Sequence, residues 1–480
     1  MTSFPAPSPL CGRYTEDETI SNWAETYTAE ADYVFHPTTE EEVVAIVQWA
    51  LSCTPPPIVR AVGAVHSPGP LPLPTRPGSD DTRERRLCVA LQLDGMNRVV
   101  AFDRDAGVVE VEGGTRLWEI NEFLAEVGMA LPSLGSISDQ SIAGAISTAT
   151  HGTGVEFGNL SSGVTRLRMV TGTGEVVEAD EDGSDEERTL LAAAACAMGA
   201  LGIITRVAIR VVPEFRLAKR SFMVPIGDAI AELEHHAQAS DHTKLNWFPH
   251  SGLAVVDYVD RVPQSTPRSV PEPSWWRDEI LAHKATEAAL YLASWVPFLE
   301  APLCRAFVDW VVKPGLSDTP VVGNSVEIMN IDCLFRQYTT EWAVPRGKAQ
   351  KALRLLKGFL DRSSFVKHFP IEIRFVRSDS VWLSPAYQGD VGDVVYIGIV
   401  IFRPYGNDVD IAEYWAGFEK IMDSVGGKPH WAKAHPLGAR ELEAKYSRMG
   451  DWARVCARLD PVGLFRNAVL DQTVALKSRL

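Results

Sequence analysis

The sequence predicts an α+β chain in two units, and three observations carry that reading. With 480 residues it is too long for one ordinary hydrophobic core. Up to Pro213, short strands alternate with single helices and dense glycine turns. Beyond Pro213 the composition shifts: tryptophans become common (Trp247, Trp275, Trp276, Trp295, Trp310, Trp342), and longer helical segments alternate with apolar strands. A boundary near 214 therefore separates a first unit, 1–213, from a second, 214–433.

From Asp32, YVFHPTTEEEVVAIVQWAL reads as a strand running into Pro37, then a helix capped by Thr38 or Thr39, with glutamates in the first turn where the macrodipole favours them. IVRAV follows as a buried strand, giving a β-α-β unit that delivers the loop AVGAVHSPG. Strands recur at LCVALQL and VVEVEGG and, after a helix around Leu117 to Val127, in the segment ending at His151. RLRMVTGTGEVVEAD is a strand, turn and strand; Ser184 to Met198 is helical; GIITRVAIRVVP is a long strand. In the second unit EWAVPRGKAQKALRLLKGFLDR reads as helix, and PIEIRFV and VVYIGIVIF as strands. AALYLASWVPFLEAPLCRAFVDWVV is broken by Glu300, Arg305, Asp309 and two prolines, so it reads as a buried helical pair, with a membrane-surface segment as the lesser alternative. The proline-rich stretches 69–86 and 262–274 read as surface loops.

A formal charge of −16 without a basic cluster excludes a nucleic-acid partner. Seven scattered cysteines with no CxxC pair fit reduced thiols in an intracellular setting. The N-terminal residues carry neither an apolar core nor a basic leader, so no signal peptide is expected and the protein is placed in the cytoplasm or at an intracellular membrane surface.

Four stretches hold candidate chemistry. His66 stands alone in a turn of small residues and prolines, and by itself reads as a loop histidine bonded to backbone. TGTGEVVEAD suggests a dinucleotide fingerprint, but it lacks the third glycine and is flanked by strands on both sides; it is a hairpin turn, and a nicotinamide cofactor is rejected. LGSISDQSIAGAISTATHGTG, 134–154, is dominated by small residues. Such a backbone either presses N–H groups and hydroxyls against a flat anionic ligand or forms a tightly packed small-residue helix and loop. In PIEIRFV, Glu372 and Arg374 share one strand face, as a surface ion pair or as part of a pocket, while Ile373 and Phe375 face the other way. Lys433, in HWAK, is either solvated or part of the same pocket.

HSP at 66–68 and GSISDQSIAGAISTATHGTG at 135–154 resemble the vanillyl-alcohol-oxidase type of flavoprotein, and within it the aldonolactone oxidases. The likeness continues in order through NWAETY (22–27), DCLFRQYTTEW (332–342), EIR (372–374), IFRPYG (401–406), GGKPHWAK (426–433) and LDPVGLFRN (458–466), while WLSPAY (382–387) also resembles the bacterial alditol oxidases. The resemblance implies a PCMH-type FAD-binding domain, a cap domain on an antiparallel sheet flanked by helices, and a C-terminal segment, 434–480, returning to the FAD domain. It implies an FAD-dependent oxidase that converts the C2 hydroxyl of a sugar 1,4-lactone to an ascorbate-type product and reduces O2 to H2O2. An alditol or other carbohydrate oxidase, or a flavin-binding protein without turnover, is the alternative.

By the same resemblance His66 carries FAD through an 8α-histidyl bond, although Val65 stands where the family has glycine. Gly63, Ala64, Val65 and Ser67 would cradle the flavin, with Gly135, Ser136, Ser138, Ser141, Gly144, Ser147, Thr148, His151 and Gly152 from the second segment, and Ile203 and Ile204 at the adenine end. Gly135 takes the place of an alanine that shuts oxygen out of related dehydrogenases, which implies an open oxygen path. Glu372 would bind substrate hydroxyls, and Arg374 and Lys433 would stabilise negative charge on substrate and flavin, with Tyr396 and His430 as further polar contacts. No metal is implied.

Overall fold

Thr39 begins the first helix as its sequence requires: its hydroxyl accepts the Glu42 N–H at 3.2 Å, and Glu40, Glu41 and Glu42 fill the first turn of Glu40–Ser52. This computed structural model describes residues 5–76, 86–272, 274–316, 319–331, 333, 335–365, 367, 368 and 370–474, so 77–85 of the first proline-rich stretch lie outside the described residues. Strands Thr28–Phe35 and Ile58–Val62 flank the helix in sequence, but Cys88–Gln92 inserts between them and pairs with both in parallel; Tyr14–Ser21 adds an antiparallel edge. A second, antiparallel sheet of five strands contains the TGTG hairpin, Val164–Val170 against Val176–Asp180.

Beyond residue 213 one antiparallel sheet of eight strands runs in the order Val321–Asn324, Arg216–Pro225, Leu253–Val262, His242–Phe248, Ile371–Val376, Val394–Phe402, Gln337–Pro345 and Lys428–Pro429. Helices Arg346–Leu360 and Ala412–Ser424 cover one face, burying Ala352, Leu356, Phe418 and Met422 against Ile373, Ile397 and Trp342. The last helices pack on the first half of the chain: Tyr446, Trp452 and Leu470 join the core of Val109 and Leu167, and Phe465 joins that of Phe35 and Trp49.

Four expectations are corrected. The segment ending at His151 contains no strand but a short helix, Ile142–Ser147, whose small side chains let it pack tightly; a two-residue strand, Met129–Ala130, precedes it. The helix expected to reach Met198 ends at Ala194, because Met198 turns to φ +53° and gives its N–H to Ser147. EWAVP is the end of a strand, paired along its length with Val394–Phe402; Pro345, with no N–H for a ladder, marks the switch into the helix. The helical pair Thr286–Trp295 and Glu300–Phe307 buries Leu290, Ala293 and Cys304 but leaves Trp295 (73%), Phe298 (79%) and Trp310 (72%) exposed, so it is not buried as a whole.

Candidate active site

Strict alternation along Ile371–Val376 builds the site. Ile371, Ile373 and Phe375 enter the helix-covered core, and Glu372 and Arg374 point the other way, into a cavity of about 200 Å3. Pairing brings Lys244 opposite Arg374 from one neighbouring strand, while Gly398 lies between Glu372 and Glu341 on the other side. Four charged side chains from three strands thus gather on one sheet face. Lys244 Nζ contacts Glu372 at 2.8 Å; Arg374 Nη2 donates to Glu341 at 2.6 Å and lies 3.4 Å from Glu372; Arg374 Nη1 donates to the Ser136 hydroxyl at 3.3 Å.

Electrostatics follows from that packing. Burial alone would raise the Glu372 carboxyl, but Lys244 and Arg374 outweigh it and bring it down to about 2. Burial also opposes ionisation of Glu341, yet Arg374 and His151 hold it well below the carboxylate range. Against burial, the two carboxylates keep Arg374 raised. Lys433 differs: burial depresses its ammonium, with Glu341 opposing, and Nζ makes no hydrogen bond or ion pair among the described residues. Arg374 is thus a fixed, neutralised strut and Lys433 the available cation, a difference that residue type alone does not reveal.

The segment carrying His151 is bolted to the same strand. Gly154 N–H donates to Phe375 C=O at 2.7 Å, Phe375 N–H donates to the Thr153 hydroxyl at 3.1 Å, and that hydroxyl donates to Thr243 C=O. His151 lies with its ring stacked on Tyr396 at 3.6 Å, its Nδ1 3.0 Å from Gly152 C=O and its Nε2 3.5 Å from Glu341 Oε1. His430 also lines the cavity, and its Nδ1 accepts the Ala432 N–H at 3.1 Å. Burial pushes both imidazoles below their ordinary value. At the rim, His66 stacks on Trp23 with ring centroids 5.9 Å apart. Burial lowers this imidazole too, with Asp139 opposing and Arg116 assisting, which leaves a neutral, nucleophilic ring.

A second cavity of about 80 Å3 lies on the other side of the His66 loop, lined by Gly63, Ser67, Ser141, Gly144, Ser147, Thr148 and Ile204. A Cβ on Gly63 would overlap the Ser141 hydroxyl and stand 2.9 Å from its Cβ, so only glycine lets strand and helix approach here. Arg60, wholly buried, donates to the carbonyls of Phe465 (2.8 Å), Met198 (2.7 Å), Leu71 (3.2 Å) and Gly199 (3.3 Å) and ties the cradle walls together. Two cavities meeting at one loop, one walled by small residues and hydroxyls and the other by fixed charges, fit a long ligand such as FAD.

Of the residues expected from sequence, His66, Ser136, His151, Glu372, Arg374 and Lys433 line the larger cavity with His430, and the seven named above line the smaller. Tyr396 lies beneath His151. The side chains of the remainder line neither. Val65 packs beside Val62 and Ala90, next to Ala64; Ser138 accepts a hydrogen bond from Asn330; Gly152 sits tight under Leu134; Ile203 joins the core of Trp49; and Gly135 lies one residue behind the wall. Glu341, Lys244, Trp23 and Arg60 were not singled out from sequence. Glu341 had a signal: Gln337, Thr339 and Glu341 alternate along their strand and all line the cavity.

Comparison with known proteins agrees with this geometry. An FAD-binding domain profile matches residues 31–180, and the D-arabinono-1,4-lactone oxidase profile matches 207–473. Similar curated proteins include L-gulonolactone oxidase of Scyliorhinus torazame (33% identical; 95% of this chain, 98% of that one) and D-arabinono-1,4-lactone oxidase of Kluyveromyces lactis (29%; 91% and 88%). L-gulono-1,4-lactone dehydrogenase of Mycobacterium tuberculosis is similar as well (30%; 93% and 97%). Among solved structures, a cholesterol oxidase from B. sterolicum superposes with a TM-score of 0.81 over 99% of this chain and 100% of that one, at 16% identity, which speaks for the fold. Fold and site together define an FAD-dependent oxidoreductase of the vanillyl-alcohol-oxidase type. The chain belongs to the D-arabinono-1,4-lactone oxidase family.

Proposed function

We propose that this flavoenzyme oxidises the C2 hydroxyl of a sugar 1,4-lactone of the D-arabinono-, L-gulono- or L-galactono- type to an ascorbate-type product, with O2 as the final acceptor and H2O2 as the by-product. The observation that carries the reading is the charged face of Lys244, Glu372, Arg374 and Glu341 with Lys433, set beyond His66 in one cavity. Bound FAD would supply the hydride acceptor and the route for electrons to oxygen. Glu372, ionised and held from two sides, accepts hydrogen bonds from lactone hydroxyls. Arg374 is immobilised by both carboxylates and by Ser136, so it orients the substrate oxygen without reorganising. Lys433 supplies the positive charge that no carboxylate already claims. His66 is the attachment point for the flavin in this reading, supported by its position in the first cavity wall beside Ser67 of the second.

WLSPAY lends a polyol substrate no support, because Trp382 and Leu383 lie in the core beside Trp431, away from the cavity. Peroxide release measured with the three lactones beside xylitol and sorbitol tests the reading; turnover of the polyols alone would overturn it. Among the described residues no helix is long and apolar enough to cross a membrane. Trp275, Trp276, Trp295, Phe298 and Trp310, all exposed on the helical excursion, support contact with a membrane surface, which co-sedimentation with lipid vesicles checks. The seven cysteines form no disulfide among the described residues and six of them are buried, which supports a reducing, intracellular location.

A further inference from the structure

Any oxidation of an alcohol at this site must dispose of a proton, and the residues placed around the substrate cavity differ sharply in their fitness to take it. Glu372 is held near 2 by Lys244 and Arg374 and is a poor base. His430 is fixed in the wrong tautomer: its Nδ1 accepts the Ala432 N–H, so the neutral ring carries its proton on Nε2. His151 is fixed in the opposite one. Its Nδ1 faces Gly152 C=O at 3.0 Å, an acceptor only, so Nδ1 carries the proton and Nε2 is bare. In the neutral ring that Nε2 faces Glu341 Oε1 at 3.5 Å as two acceptors turned toward each other.

We propose that His151 and Glu341 form a paired acceptor for the hydroxyl proton of the substrate. As hydride leaves the carbon, the O–H bond breaks, its electron pair becomes the second bond of the carbonyl, and the proton ends on His151 Nε2, donated toward Glu341. The imidazolium is then satisfied at both nitrogens, by Gly152 C=O and by the carboxylate, and lies on the face of Tyr396. Arg374 keeps Glu341 ionised so that the proton stays on the ring. The charged and titratable groups facing His151 are Glu341, Arg374, His430 and Lys433 around the cavity, with Tyr396 beneath; only Glu341 favours the charged ring. The two acceptors titrate as a unit.

This inference rests on the alcohol-oxidase reading of the same cavity, and its test has an arm independent of turnover. Ring-labelled histidine NMR of the holoenzyme, with His151 assigned by its loss in His151→Asn, should show a bare Nε2 that protonates as pH falls. Glu341→Gln should lower that transition by at least about tenfold in proton affinity, because an opposite charge at this distance is removed. Asparagine at 151 can keep the bond to Gly152 C=O while deleting the base, so the fold and the flavin content should hold. In flavin reduction by saturating lactone, His151→Asn should be slowed on the order of 10²-fold and lose the acidic limb of the rate profile, with KM little changed. A limb that survives unchanged in His151→Asn, or moves only in Lys433→Met, assigns the proton to Lys433 and overturns the proposal. So does a His151 Nε2 whose protonation is indifferent to Glu341→Gln. Absence of any lactone turnover by the wild type sinks the substrate reading and leaves the NMR arm to decide the pair.

Discussion

Val65 departs from its family in identity but not in conformation. The resemblance calls for glycine before His66, and a β-branched residue resists positive φ; the structure nonetheless holds Val65 at +51°. Trp23 N–H pins its carbonyl at 2.9 Å, and its side chain packs beside Val62, which offset a backbone cost of about 1–2 kcal/mol. His66 is therefore presented as glycine would present it. Acid-precipitated protein should stay yellow and fluoresce in a denaturing gel, and His66→Ala should release its flavin; flavin washing out of the wild type would reduce His66 to a wall residue. Gly135→Ala places a methyl 3.1 Å from Thr150 Cγ2 and 3.6 Å from His151 C=O, tight enough to narrow the wall behind Ser136. Stopped-flow traces should show slower reoxidation by oxygen with flavin reduction nearly intact, and equal reoxidation rates in both proteins would remove Gly135 as the gate. Arg374→Ala should lower kcat and kcat/KM together by roughly 10²-fold with little change in KM, and Arg374→Lys should recover only part, since an ammonium cannot span Glu341 and Ser136 at once.

At the scale of elements, one strand serves core and chemistry through its two faces. Ile373→Ala should cost about 2–5 kcal/mol of stability at any pH while leaving the charged face in place, whereas Glu372→Gln should raise KM, lower kcat and cost stability that depends on pH. The carboxyl of Glu372 is depressed in the folded state, to about 2, against roughly 4.3 in an unfolded chain. Its contribution is thus fully present above that unfolded value and is lost as pH falls toward 2, so melting curves of wild type and Glu372→Gln should converge over this window. A gap that is constant with pH would show that the Lys244 and Arg374 contacts do not stabilise the ionised form. Alternation made this strand legible in the sequence, and the Thr39 cap did the same for the first helix. Which strands lie beside it was not legible: Lys244 reaches Glu372 from 128 residues away and Glu341 reaches Arg374 from 33, by pairing alone. The small-residue segment was ambiguous for a related reason, because its helix is decided by the space beneath Gly63 rather than by its own periodicity.

For the molecule as a whole, the Arg60 guanidinium joins parts of the chain that are far apart in sequence. It reaches the carbonyls of Leu71, Met198, Gly199 and Phe465, while the Val59 N–H donates to Leu464 C=O at 2.8 Å in the same place. Arg60→Met should keep much of the packing volume but orphan these carbonyls, lowering Tm and flavin content together; full flavin occupancy in that variant would show that the cradle stands without the tie. The same arrangement sets a schedule for synthesis. Residues 1–213 leave the ribosome first, yet the wall of their cradle is not complete until Phe465 has emerged, roughly ten seconds or more later at 5–20 residues per second. Until then Arg60 has no partner in Phe465, and a nascent chain stalled short of that point lacks this tie at the wall of the smaller cavity. Flavin capture should accordingly wait for Phe465, so a chain cut just before this residue should purify with less flavin than the intact protein, which its visible absorbance checks.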